Sequence, residues 1–308
     1  MQRSRIGSLE ISVVGIGCNN FGWRTDAAGT AAVVDAALAA GIDFFDTADI
    51  YGGGQSEEYL GRALKGRRGQ AVIASKFGMK LGEGQGARPE YVQQALDASL
   101  KRLGVDVIDL YQIHRPDPAT PIADTLGALD QAVKAGKVRE IGCSNFSAEQ
   151  LREAEAASAG RARFVSVQNE YSLFQREPEK EVLAECRRLT QAFLPYFPLF
   201  NGLLSGKYHD SDFPEGSRAR DGFGPKVFTE ANLAKAQALA EFAAANGHTL
   251  LELAVSWLAM RPEVASVIAG AKTPEQVNAN ARAAGWKLDG VAAAAVDRIL
   301  SESFRAAS

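Results

Sequence analysis

Eight short apolar runs, each followed by a turn and then an amphipathic stretch, punctuate this chain. They are Val13–Ile16, Ile42–Phe45, Ala71–Ala74, Val107–Tyr111, Val138–Ile141, Phe164–Val167, Ala192–Leu194 and Ser266–Ile268. Runs this short and β-branched suit strands buried on both faces, as parallel sheets require. The intervening segments carry helix signals. Ala31–Ala40 is alanine-rich and stops at Gly41, Pro89 opens a helix that Gly104 closes, and Ser147 with Gln150 forms a capping box. Thr273-Pro274 offers a similar start. Strict β-then-α alternation implies right-handed crossovers, and eight such units close into a (β/α)8 TIM barrel, with an open doubly wound sheet as the alternative. At 308 residues the whole chain, 1–308, is read as one domain.

Two segments stand outside the repeat. Residues 6–12 read as an N-terminal β-hairpin that plugs the bottom of the barrel. Asn201 to Phe228 is long, aperiodic and rich in Gly, Pro, Asp and Arg, so it reads as a lid loop after strand seven.

Composition removes several classes of function. A formal net charge of -3 and a single basic cluster, Lys65 to Arg68, argue against nucleic acid as a partner. Cys18, Cys143 and Cys186 are an odd number with no CxxC pair, so disulfides and zinc clusters are not expected, and a reducing compartment is. No apolar window suits a signal peptide or a membrane span, which points to a cytoplasmic protein. No segment reads as an exposed apolar interface helix, so a monomer is favoured.

Active sites of such barrels form at the carboxyl ends of the strands. Polar residues stand there in order: Asp46, Lys76, His114, Ser144 with Asn145, Gln168 and Tyr196, and Tyr51 follows Asp46 by five residues. Four of them make chemical sense together. A free tyrosine, with a pKa of about 10, is a poor acid at neutral pH. Lys76 would lower that value, Asp46 would keep Lys76 charged and fixed, and His114 would orient a carbonyl oxygen. Singly, each also fits a capping carboxylate, a solvated lysine or a partly buried ring; their joint occurrence at successive strand ends carries the signal. Of the other histidines, His209 falls in the lid and His248 in a connection. Gly15-Ile16-Gly17-Cys18-Asn19-Asn20 has Asn20 where the dinucleotide fingerprint needs its third glycine, and the Rossmann reading is set aside.

The segments Phe44–Gly52, Ser75–Gly78, Asp109–His114, Gly142–Phe146, Val167–Tyr171 and Gly202–Lys207, in this order, resemble the aldo-keto reductase family over residues 13 to about 280. The resemblance implies a reductase passing hydride between NADPH and a small carbonyl substrate, with Tyr51 as general acid and Asp46, Lys76 and His114 in support. It implies that Ser144, Asn145 and Gln168 hold the nicotinamide carboxamide and that Tyr196 stacks on the ring. Phe197, Leu199, Gly202 and Lys207 fall on the following cofactor segment, Lys207 as a pyrophosphate contact or a solvated charge. Gly270, Lys272, Thr273, Gln276 and Asn280 match the adenine end, with Lys272 at a ribose 2′-phosphate or merely exposed. Gly17 and Cys18 would let the backbone approach the cofactor. Phe21 and Trp23 would line the substrate pocket or anchor their own loop. Three departures stand out. Gly270-Ala271 replaces Lys-Ser of some branches, Gln276 replaces an arginine, and Phe197 replaces a serine. One cationic anchor is therefore missing, which leaves NADH as the alternative to NADPH. Two other functions fit the same residues: a redox-sensing subunit that binds NADPH with little turnover, and an isomerase or aldolase using Lys76 as a Schiff base.

Overall fold

The computed structural model describes residues 1–208 and 224–302. A hairpin of β1 (Arg3–Ile6) and β2 (Leu9–Ser12) precedes a parallel eight-stranded sheet. Its strands are β3 (Val14–Gly17), β4 (Phe44–Asp46), β5 (Val72–Phe77), β6 (Ile108–Ile113), β7 (Val138–Ser144), β8 (Phe164–Glu170), β9 (Ala192–Tyr196) and β10 (Val267–Gly270). All eight expected runs are strands. Neighbours follow chain order from β3 to β9, and β10 lies beside β3. Closure comes from Phe193, whose N–H donates to the Glu263 carbonyl (2.7 Å) and whose carbonyl accepts from the Ala265 N–H (3.0 Å). The sheet is a closed barrel, and the open-sheet alternative is excluded.

The helices are α1 (Ala27–Ala39), α2 (Gln55–Ala63), α3 (Pro89–Leu103), α4 (Ile122–Lys134), α5 (Ala148–Ser158), α6 (Val182–Leu189), α7 (Gly224–Val227), α8 (Glu230–Ala245), α9 (Leu250–Ala259), α10 (Pro274–Ala283) and α11 (Gly290–Ser301). Local chemistry sets their ends. Asp26 caps α1, which starts four residues before the expected Ala31, because its side chain accepts the Gly29 N–H. The Ser147–Gln150 capping box opens α5 as expected. Gly104, at φ 64°, ends α3 in the left-handed region that glycine tolerates.

The hairpin closes the amino-terminal end of the barrel. Ile6, Leu9 and Ile11 are fully or nearly fully buried and pack in one cluster with the barrel-interior residues Phe44, Ala74, Leu110, Leu194 and Ile268. With that end filled by apolar side chains, only the carboxyl end can hold a polar ligand. The expected lid lies partly outside the described residues, His209 included. Its described flanks are a 3-10 turn over Phe200–Ser205 and the short α7. No helix among the described residues is long and apolar enough to cross a membrane.

Candidate active site

Strand pleat decides which side chains enter the barrel, because alternate residues face opposite sides. On β6, Leu110 joins the interior cluster while Tyr111 and Ile113 pack outside it. Gln112 and His114 therefore continue the inward row. The carboxyl ends converge on a cavity of about 480 Å³.

Asp46 organises its floor. Its Oδ2 accepts from Lys76 Nζ at 2.6 Å, and its Oδ1 accepts from Gln168 Nε2 at 2.9 Å and Gln112 Nε2 at 3.3 Å. Lys76 also donates to the Thr47 carbonyl (2.9 Å) and is wholly buried. Burial works against its charge, but Asp46 and then Tyr51 more than offset this, and the pKa of Lys76 rises. Its Nζ lies 5.1 Å from the centre of the Tyr51 ring, and His114 meets that ring edge-on with centroids 5.8 Å apart.

Two electrostatic outcomes differ in weight. Burial pushes the Tyr51 phenol above its ordinary value, and Lys76 pulls it back only in part. This corrects the expectation that Lys76 leaves Tyr51 more acidic than a free tyrosine: desolvation of the phenolate wins. His114 is driven down to about 3 by burial, then by the Lys76 and Arg115 cations, so the ring is neutral at physiological pH.

A second network lies beside the first. Asn145, in the left-handed region at φ 63°, donates to the His114 carbonyl (2.9 Å) and to Ser144 Oγ (3.1 Å) and accepts from the Tyr196 hydroxyl (2.8 Å). Ser144 Oγ donates to the Gln168 carbonyl at 2.7 Å. Phe197 packs edge-on against Tyr196. Phe197, Phe200 and Asn201 all have positive φ without being glycine, a clustering of backbone strain typical of ligand-contacting segments.

The cavity brings together Gly17, Asp46, Tyr51, His114, Ser144, Asn145, Gln168, Tyr196, Phe197, Leu199, Gly202, Lys207, Gly270, Lys272, Gln276 and Asn280. Lys76 stands behind its wall. Thr273 is not in the lining either; its Oγ1 accepts the Gln276 N–H as the cap of α10, while Gln276 Oε1 takes the Lys272 N–H at 2.8 Å. The buried Cys18 offers the cavity no side chain; its carbonyl accepts from Ser56 Oγ (2.9 Å). Phe21 and Trp23 do not line the cavity, which corrects the substrate-pocket reading and leaves the other, a pair that anchors its own loop. The Asn20 carbonyl gathers the N–H groups of Trp23, Arg24 and Thr25. This tight turn buries Phe21 in the core and leaves Trp23 64% exposed under the Arg24 guanidinium. His248 stacks on Trp286 with centroids 4.2 Å apart, away from the site.

Gln112 was missed because it lies inside an apolar run. Period-two counting back from His114 would have found it. Arg24 and Arg115 also stand in the lining; each lies in a loop whose course no apolar pattern or motif announces. All three cysteines are buried and free, and no metal-ligating cluster occurs among the described residues.

The profile of the aldo/keto reductase family matches residues 13–301. The chain is 37% identical over 302 residues to aldo-keto reductase yakc of Schizosaccharomyces pombe, whose name carries NADP(+), covering 92% of this chain and 87% of that protein. It is 36% identical over 295 residues to aldo-keto reductase YhdN of Bacillus subtilis, covering 91% and 87%. Among solved structures, the glycerol dehydrogenase AKR11B4 from Gluconobacter oxydans superposes with a TM-score of 0.84 at 31% identity, covering 99% of this chain and 98% of that one.

Proposed function

Because this chain belongs to the aldo/keto reductase family, we propose that it reduces aldehydes or ketones to alcohols, with NADPH as reductant and Tyr51 as general acid. One observation carries the reading: a buried, hydrogen-bonded lysine–aspartate pair stands directly behind a half-buried tyrosine that opens onto a cavity beside a neutral histidine.

A bound nicotinamide supplies the hydride. The chain handles the proton and the orientation. Tyr51 gives its proton to the carbonyl oxygen as charge develops there. The Lys76 ammonium stabilises the phenolate left behind, and Asp46 holds that ammonium in place. Neutral His114 donates an N–H to the same oxygen and fixes the substrate's angle. It cannot compete as the acid, because it holds no second proton at neutral pH.

The lining suits the cofactor. Asn280 is 3% exposed and its amide nitrogen has no partner among the described residues, although it borders the cavity. A buried donor left over calls for an acceptor, which an adenine ring offers. Lys272 and Gln276 would meet the ribose end, and Lys207 the pyrophosphate. Ser144, Asn145 and Gln168 would hold the carboxamide. Asn145 Oδ1 retains a lone pair beyond the one Tyr196 takes. Tyr196 would stack on the ring. The NADP(+) in one relative's name and the position of Lys272 favour NADPH over NADH. Residues 1–308 act as one domain, and the acting species is a monomer.

The test is titration with NADPH and with NADH, followed by protein fluorescence, and then cofactor oxidation with 4-nitrobenzaldehyde. Tighter NADPH binding, lost on Lys272→Ala, together with turnover supports the proposal. Binding without turnover of any simple aldehyde turns it toward a cofactor-holding regulatory subunit. Binding of neither cofactor overturns it.

A further inference from the structure

Arg115 follows His114 directly and lines the same cavity. Unlike the acids and bases behind the wall, it is exposed, and it forms no ion pair or side-chain hydrogen bond among the described residues. The loop beneath it is anchored. Asp117 accepts from the N–H groups of Ala87 (2.8 Å) and Ala119 (3.0 Å) and from Thr120 Oγ1 (2.8 Å), so this nearby carboxylate is occupied. Pro116 restricts the Arg115 backbone to extended conformations. The guanidinium acts electrostatically on both His114 and Tyr196, which places its charge at the reacting end of the cavity.

The cations of the lining are Arg24, Arg115, Lys207 and Lys272, and its one carboxylate among the described residues, Asp46, is matched by Lys76. The proposed cofactor accounts for Lys207 and Lys272. Arg24 lies over the Trp23 ring, 4.3 Å from its centroid, and Arg115 stays unassigned at the substrate end.

We propose that Arg115 is a specificity-determining residue that selects carbonyl substrates bearing a carboxylate, gripping that group through its planar fork while His114 and Tyr51 hold the carbonyl. The inference rests on the reductase reading given above. A guanidinium pairs two N–H donors with the two oxygens of a carboxylate, geometry that a neutral group cannot match. Because the contact is open to solvent, salt weakens it.

The experiment compares reduction of 4-formylbenzoate with that of its uncharged methyl ester, NADPH being saturating. The wild-type enzyme is expected to favour the acid by about tenfold in kcat/KM, the size of one charge-assisted contact, mainly through KM, with the preference shrinking as salt is added. Arg115→Gln is expected to lose that factor on the acid and to leave the ester within about twofold, with Arg115→Lys between. Equal use of acid and ester by the wild type, or an equal loss of both in Arg115→Gln, overturns the role of Arg115 while ester turnover keeps the reductase reading intact. Failure to reduce either aldehyde with NADPH bound overturns both.

Discussion

Lys76 Nζ and Asp46 Oδ2 lie 2.6 Å apart with essentially no solvent access to either side chain. Removing one partner of such a pair strands the other charge in a low-dielectric interior, at a cost of about 3–5 kcal/mol, whereas replacing both costs far less. Asp46→Asn is therefore expected to lower the unfolding midpoint sharply, and Asp46→Asn combined with Lys76→Met to recover much of the loss. Chemical denaturation of Asp46→Asn, of Lys76→Met and of the double variant checks this. A double variant as unstable as the sum of the singles contradicts it.

Tyr51→Phe keeps the ring against His114 and removes only the hydroxyl. Turnover is expected to fall by about 10²–10⁴-fold, with NADPH affinity preserved. Since burial holds the phenol above its ordinary value, the loss of rate from its ionisation belongs above about pH 10. A Tyr51→Phe enzyme that retains near-normal turnover removes Tyr51 from the mechanism.

His114 links activity to acid stability. Its value falls from 6.5 to about 3 on folding, with burial as the main cause. The unfolded chain then binds the extra proton first, so stability from this group is present above pH 6.5 and is lost as pH falls toward 3. By pH 4 the loss amounts to about 3 kcal/mol at 1.36 kcal/mol per pH unit. His114→Gln is expected to flatten this part of the stability–pH curve. An unchanged acid limb argues against a neutral, buried His114.

Asp49 has the opposite sign. It sits in the loop that carries Tyr51, is 1% exposed, and neither carboxylate oxygen has a side-chain hydrogen-bond partner among the described residues. Burial and then the nearby Glu57 push it from 3.8 up to about 7, against Arg102 and Lys76. The protonated form is favoured in the fold. Its contribution is complete below pH 3.8, declines as pH rises, and is gone above about 7. Between pH 5 and pH 8 the loss is on the order of 2–3 kcal/mol. Asp49→Asn is expected to be relatively more stable than the wild type at pH 8 than at pH 5, measured by thermal unfolding at both. A constant difference between the two pH values rejects the account.

Much of this molecule is legible one residue at a time. The eight strands were visible because a strand buried on both faces must be a short apolar run, and the carboxyl-end residues of the six middle runs were visible because each of those runs leads to a polar side chain. Asp46, Lys76 and His114 follow from that rule and Tyr51 from its nearness to Asp46, while the caps at Ser147 and Thr273 depend only on local hydrogen bonding. Other features depend on what distant segments bring near. Whether Lys76 makes Tyr51 more acidic is a contest between an ammonium 5.1 Å from the ring centre and the cost of desolvation, and only packing sets the winner. Trp23 faces solvent because the Asn20 carbonyl closes a turn that no apolar pattern announces. Gln112 joins Asp46 only once the barrel curves β4, β6 and β8 around one axis. Period and capping are written in the chain because they act over a few residues; electrostatic balance and cavity lining are not, because they sum over everything the fold places within reach.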